Sequence, residues 1–240
     1  MKRYVILIIA FLLIIAPIKS GAEIKGYEVV AKLSKQEITL YAKTRDGLYR
    51  DFKLDFKGTI YSYPFWTSTA DKYTHSPKIV YEDINKDKQK ELIIILNKGY
   101  GSGVLIEEVH VFNTEYNRFG EELVDNPLAI IYKNLKTKLT TEKAEVIVGN
   151  KVSIVDTKAI EPSHLFEVIS FGSIIDYEVI NNHLMVRVGG QITPAMFVGD
   201  IIIVYEYRDK MYQVKTIEFI PHDLIDKNPF YGLLNHSGIF

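Results

Sequence analysis

Val80 to Leu96 reads VYEDINKDKQKELIIIL, an acidic loop that runs into an apolar strand. Asp83, Asn85, Asp87 and Glu91 stand at positions 1, 3, 5 and 9 of that loop. Position 7, Gln89, offers a backbone carbonyl. A tight loop turns alternate side chains inward, so these oxygens are expected to converge on one hard cation. Calcium takes six to eight oxygens at about 2.3–2.6 Å and tolerates irregular geometry, whereas magnesium demands a stricter octahedron. The loop has neither Cys nor His, which argues against zinc and copper.

An EF-hand needs a glutamate at position 12 and flanking helices. Position 12 is Ile94, and the downstream run Leu92–Leu96 reads as a strand. The segment DINKDKQKELIII resembles the calcium loop of FG-GAP and VCBS-type repeats, which follow a D-x-[DN]-x-D-G-x-x-[DE]-[LI] pattern. The resemblance runs from Asp83 to about Phe112. It implies a bound Ca²⁺ with Asp83, Asn85, Asp87, Gln89 and Glu91 as its ligands, and a strand-rich unit of the kind that builds β-propeller blades. The repeats carry glycine at position 6, where this chain has Lys88. A left-handed backbone costs a non-glycine residue about 1 kcal/mol. With Lys86, Lys88 and Lys90 beside the carboxylates, the expected affinity is weak, ~0.1–1 mM, as in extracellular modules. The ion's expected role is structural, stapling two strands.

The remaining chain reads as β almost throughout, in short runs rich in Val, Ile, Tyr and Phe between turn residues. Expected strands are 27–33, 37–43, 48–56, 78–81, 91–96, 104–112, 128–132, 145–148, 152–155, 173–180, 183–188, 200–207 and 211–219. Gly149-Asn150 and Asn181-Asn182 read as hairpin turns. Helical periodicity is weak; residues 162–170 and 223–234 are the places for a short helix or turn. Strand, polar turn, aromatic and strand recur around 38–49, 109–119 and 202–212, at uneven spacing. The expected fold is all-β: antiparallel hairpins in a small or degenerate propeller-like assembly, with a β-sandwich as the alternative and few short helices. No Ser/Gly-rich or Pro-rich linker divides residues 23–240, so they are expected to form a single domain.

Lys2 and Arg3 precede the apolar run 4–16, Pro17 breaks it, and Ser20 and Ala22 are small residues at the −3 and −1 positions of a cut after Ala22. Residues 1–22 therefore read as a secretory signal peptide, and the expected location is secreted or extracellular. The apolar run is shorter than the ~20 residues that span a bilayer, and no later stretch is long and apolar enough, so no membrane span is expected in the mature protein. The 240 residues hold 29 basic and 30 acidic side chains, a balance without the basic excess of a nucleic-acid binder. Cysteine is absent, which removes disulfides and thiol catalysis.

Other constellations are less specific. Gly99-Tyr100-Gly101-Ser102-Gly103 precedes a strand, whereas phosphate loops precede a helix, so it reads as a β–β connection. The six histidines form no H-E-x-x-H or H-x-H pattern; Glu108 and His110 share one face of a strand and are placed to meet a distant acid. Glu107-Glu108 and Glu121-Glu122 face opposite sides of their strands, so neither pair flanks one bond by itself. Tyr61, Tyr63, Phe65, Trp66 and Tyr73 lie in a polar-aromatic stretch, 61–75, that reads as a surface loop and a ligand face. The expectation is a secreted, non-enzymatic, calcium-stabilised binding protein of the cell envelope or extracellular space, with a protein or glycan of the cell surface as partner. The alternative is a secreted hydrolase of cell-wall or environmental glycans with carboxylate catalysis.

Overall fold

The computed structural model describes residues 24–71, 73–115 and 119–222. The expected signal peptide, residues 1–22, and the expected turn at 223–234 lie outside the described residues. Among the described residues, fifteen strands run in chain order: β1 Glu28–Leu33, β2 Ile38–Arg45, β3 Leu48–Phe56, β4 Thr59–Thr69, β5 Lys78–Glu82, β6 Glu91–Gly101, β7 Val104–Asn113 and β8 Gly120–Val124. The helix α1 Pro127–Asn134 follows, then β9 Leu135–Leu139, β10 Lys143–Val148, β11 Lys151–Asp156, β12 Ser170–Ile180, β13 His183–Gln191, β14 Phe197–Arg208 and β15 Met211–Pro221. Strands hold 64% of the described residues and helix 7%, so the fold is all-β, built from antiparallel hairpins.

Most expected strands fall on observed ones. Asn181 and Asn182 both take positive φ, 50° and 59°, the backbone a two-residue hairpin turn requires. One expected strand fails. Residues 128–132 are not a strand but the middle of α1. Asn126 caps that helix, its side chain accepting from the N–H groups of Leu128 and Ala129, and Pro127 opens it with φ already suited. The region 162–170, expected to hold a short helix or turn, holds the short 3₁₀ helix Pro162–His164.

Among the described residues, these strands form three sheets. β1 to β4 form a four-stranded meander, β11-β10-β9 a small sheet, and β12-β13-β14-β15-β8-β7-β6-β5 a sheet of eight. A further parallel pairing of β12 with β7, at Ile174↔Leu105 and Ile175↔Ile106, joins the sheet back on itself. β8 pairs in parallel with β15 at Leu123↔Met211. Six strands, β12, β13, β14, β15, β8 and β7, therefore close a ring, with β6 and β5 continuing outward from β7. One edge of β7 is shared: β12 uses its start and β8 its end. Between them Glu107 accepts the Tyr177 N–H at 2.8 Å, supplying the partner the diverging backbones do not.

β6 is the hinge of the packing. Its run LIIIL is apolar on every residue, and both faces are buried. Ile93 and Ile95 join a core with Val186, Val188, Ile201 and Ile203, against which Ile130 of α1 and Val146 of the small sheet also pack. Leu92, Ile94 and Leu96 face the other way, onto Leu40, Phe52, Leu54 and Trp66 of the meander. A strand buried on both faces loses the apolar–polar alternation of a half-exposed one.

Candidate functional site

The acidic loop joins β5 to β6, whose ladder closes at Glu82↔Glu91. Its oxygens are organised by backbone N–H groups. Asp83 accepts from Lys86 N through Oδ1 at 2.8 Å and from Lys88 N through Oδ2 at 3.0 Å. Asn85 Oδ1 accepts from Asp87 N at 2.8 Å, and Asp87 Oδ1 from Gln89 N at 2.7 Å. The Asn85 side-chain amide donates to Asp87 Oδ2 at 2.9 Å. Lys86 and Lys88 have φ of 67° and 76°, so position 6 does take the left-handed conformation in which the resembled repeats use glycine.

Glu91 is the buried member, 2% exposed. Its Oε2 accepts from Ile84 N at 2.9 Å and Asn85 N at 3.3 Å. Burial pushes its carboxyl up to about 7, against the pull of those two N–H groups and with help from the charges of Asp87 and Asp83. Tyr212 of β15 lies close enough for Glu91 and Asp87 to disfavour its phenolate, after burial itself. Its hydroxyl is buried without a hydrogen-bond partner among the described residues. Ile84 drops from the loop into the core, and Lys86 Nζ reaches His183 Nε2 at 3.0 Å, next to the β12–β13 turn. Gln89 is exposed. Among the described residues, no three His, Asp or Glu side chains are gathered into a group able to hold a metal ion. The loop's donors suit calcium in kind, as hard oxygens. Their present positions are set by internal hydrogen bonds, and a cation would have to replace the Asn85–Asp87 amide contact.

Three further polar centres occupy the large sheet. Arg187 on β13 lies between Asp176 at 2.8 Å and Asp200 at 3.5 Å, and His222 Nε2 sits 2.8 Å from Asp200. Glu107, 7% exposed, pairs with Lys78 at 2.9 Å as well as with the Tyr177 amide. Its neighbour Glu108 points the other way and pairs with Lys98 at 2.9 Å. His110 does meet a distant acid: Nδ1 lies 2.6 Å from Glu121, with Glu108 4.0 Å from Nε2 and the ring stacked on Trp66 at 4.0 Å.

The stretch 61–75 is not one surface loop. Residues 59–69 are β4, and most of its aromatics pack: Tyr61 stacks on Phe119 at 4.1 Å and Tyr63 on Trp66 at 3.9 Å. The pairing of β3 with β4 slips between Phe52↔Tyr63 and Arg50↔Thr67. In the extra length, Pro64-Phe65 bulges outward and leaves Phe65 94% exposed. Asp71 then accepts the N–H groups of Tyr73, Thr74 and His75, shaping a turn that presents Tyr73 at 92% exposure. His75 stacks on Tyr100 at 4.3 Å, fixing this turn against the β6–β7 hairpin.

A cleft of about 600 Å³ lies elsewhere, lined by Asp156, Lys158, Ile160, Glu161, His164 and Met196. Its residues come from the end of β11, the connection that follows it and the turn before β14. Comparison with family models, curated proteins and solved structures finds no match to this chain.

Proposed function

We propose that the chain is a secreted, non-enzymatic binding protein of the cell envelope or extracellular space, stabilised by Ca²⁺ in the loop Asp83–Glu91. One observation carries the calcium reading. The carboxylate of Glu91 is enclosed under a loop that also turns the oxygens of Asp83, Asn85 and Asp87 onto its own backbone. A buried carboxylate with two acidic neighbours is costly without a cation. Asp83, Asp87 and Glu91 would supply charge, Asn85 its amide oxygen and Gln89 its carbonyl. The bound ion would neutralise the loop and tie β5 to β6. Phe65 and Tyr73, projected by a bulge and by a shaped turn, are the residues offered to a protein or glycan partner. No helix among the described residues is long and apolar enough to cross a membrane.

The hydrolase alternative has less support. Both oxygens of the buried Glu107 are engaged, and Asp200 is held between Arg187 and His222. Such acids are positioned to hold strands together.

Calorimetric titration of calcium into the protein, with a thermal melt, tests the reading. Saturable binding is expected. A tenfold excess over the dissociation constant should add about 1.4 kcal/mol, or ~3–6 °C in Tm. Asp87→Ala should abolish both effects. No heat and no shift at several times the weak dissociation constant of extracellular sites would overturn it.

A further inference from the structure

We infer, resting on the calcium reading of the Asp83–Glu91 loop, that the buried hydroxyl of Tyr212 on β15 is the inner partner of that cation site: it donates to the Glu91 carboxylate when Ca²⁺ is bound and so positions that ligand. Tyr212 is 1% exposed, and its hydroxyl has no hydrogen-bond partner among the described residues. A buried polar group left in that state calls for a reason, such as a partner that arrives with an ion. The Tyr212 ring packs in the core that also takes Ile84, the residue that drops inward from the loop. Ile84 N and Asn85 N are the groups that hold Glu91. The phenol therefore stands beneath the stretch of loop that encloses this carboxylate. Burial, and next the charge of Glu91, push its pKa up, with Tyr207, Glu122 and Asp87 adding less. It keeps its proton and meets the site as a donor.

The acceptor is suited to the part. Both N–H groups that Glu91 accepts go to Oε2, which leaves Oε1 as the oxygen for the ion. A carboxylate oxygen has two lone-pair directions, so one can face the cation and the other an O–H group. Carboxylates that ligate metals are regularly hydrogen-bonded in this way, and the outer partner fixes their orientation. A bond to an ionised acceptor is also the stronger kind, so it belongs to the loaded loop. Tyr212 brings the rest of the molecule with it. It lies on the parallel joint of β15 with β8, opposite Val124, and its carbonyl accepts the Asp125 N–H at 2.9 Å. An ion held through Glu91 and Tyr212 thus links the β5–β6 loop to that joint.

Calorimetric calcium titrations of wild type and Tyr212→Phe, with thermal melts of both in chelator, test the assignment. The substitution keeps the ring and removes only the hydroxyl. Calcium should bind Tyr212→Phe about tenfold more weakly than wild type, the loss expected when a ligand's outer partner is removed. The melt of Tyr212→Phe in chelator should match or exceed that of wild type, because the variant drops a buried polar group that had no partner. A purely structural tyrosine would give the opposite pair, a lower melt in chelator and an unchanged affinity. Equal affinity in the two proteins overturns the inference and leaves the loop reading standing. A lower melt of Tyr212→Phe in chelator overturns it as well. Absence of calcium binding in wild type removes the loop reading, and the role of Tyr212 with it.

Discussion

Lys88 occupies a left-handed position, at φ 76°, where a side chain gains nothing. Replacing it with glycine should raise stability by about 1 kcal/mol, read by chemical denaturation. Glu91 makes the opposite kind of demand. Its folded pKa, about 7, lies above the ordinary value of 4.5, so the folded state holds the proton more tightly. Stability contributed by the protonated acid is complete below pH 4.5 and is lost as pH rises to about 7. In calcium-free buffer, Glu91→Gln should therefore be the more stable protein above neutrality and equal to wild type in acid. Added calcium should reverse the order. Melts across that pH window, with and without the ion, read the effect. That Asp83, Asn85, Asp87 and Glu91 share one loop could be read from their spacing, and the structure organises that loop by hydrogen bonds from its own backbone. The nearby Tyr212 was not legible, since it arrives from β15 through the ring and nothing local announces it.

Among the elements, β6 holds two cores apart and belongs to both. Ile93 and Ile94 point to opposite faces and are each 0% exposed. Ile93→Ala and Ile94→Ala should each cost about 2–5 kcal/mol by urea unfolding, as large-to-small changes in packed cores do. A small effect at either position would mean that one of the two packed faces is absent. The hairpin strands were legible where turn residues bracketed a run of alternating apolar and polar residues, as at β3 and β13. Two elements were not. α1 contains LAIIY, whose apolar run favours a strand by composition, and its helix is set by the Asn126 cap and Pro127 just before it. β4 contains Pro64 and polar residues that read as loop; it is a strand because its aromatics find Phe119, Phe112 and His110 in other elements. Tertiary contacts override local preference in such segments.

For the whole molecule, the decisive joint lies where β7 meets β12. Burial holds the Glu107 carboxyl above the usual range, against the pull of Lys78, yet the side chain bridges two strands that backbone bonding has left apart. Glu107→Ala strands the Tyr177 amide and should cost about 1–3 kcal/mol. Hydrogen exchange at Tyr177 should quicken well before that of Val186 in the neighbouring strand. The all-β class and the hairpins could be read from the sequence, but ring closure could not, because no local pattern records which distant strand a free edge will find. That closure also sets a schedule for the nascent chain. Glu107 waits 70 residues for Tyr177, whereas the meander β1–β4 needs only neighbours in sequence. Long-range parallel joints are the slow ones to form. The amino-terminal half is expected to collapse early as a meander with an unfinished flank. It should then stay open until the final third of the chain emerges to complete the circle.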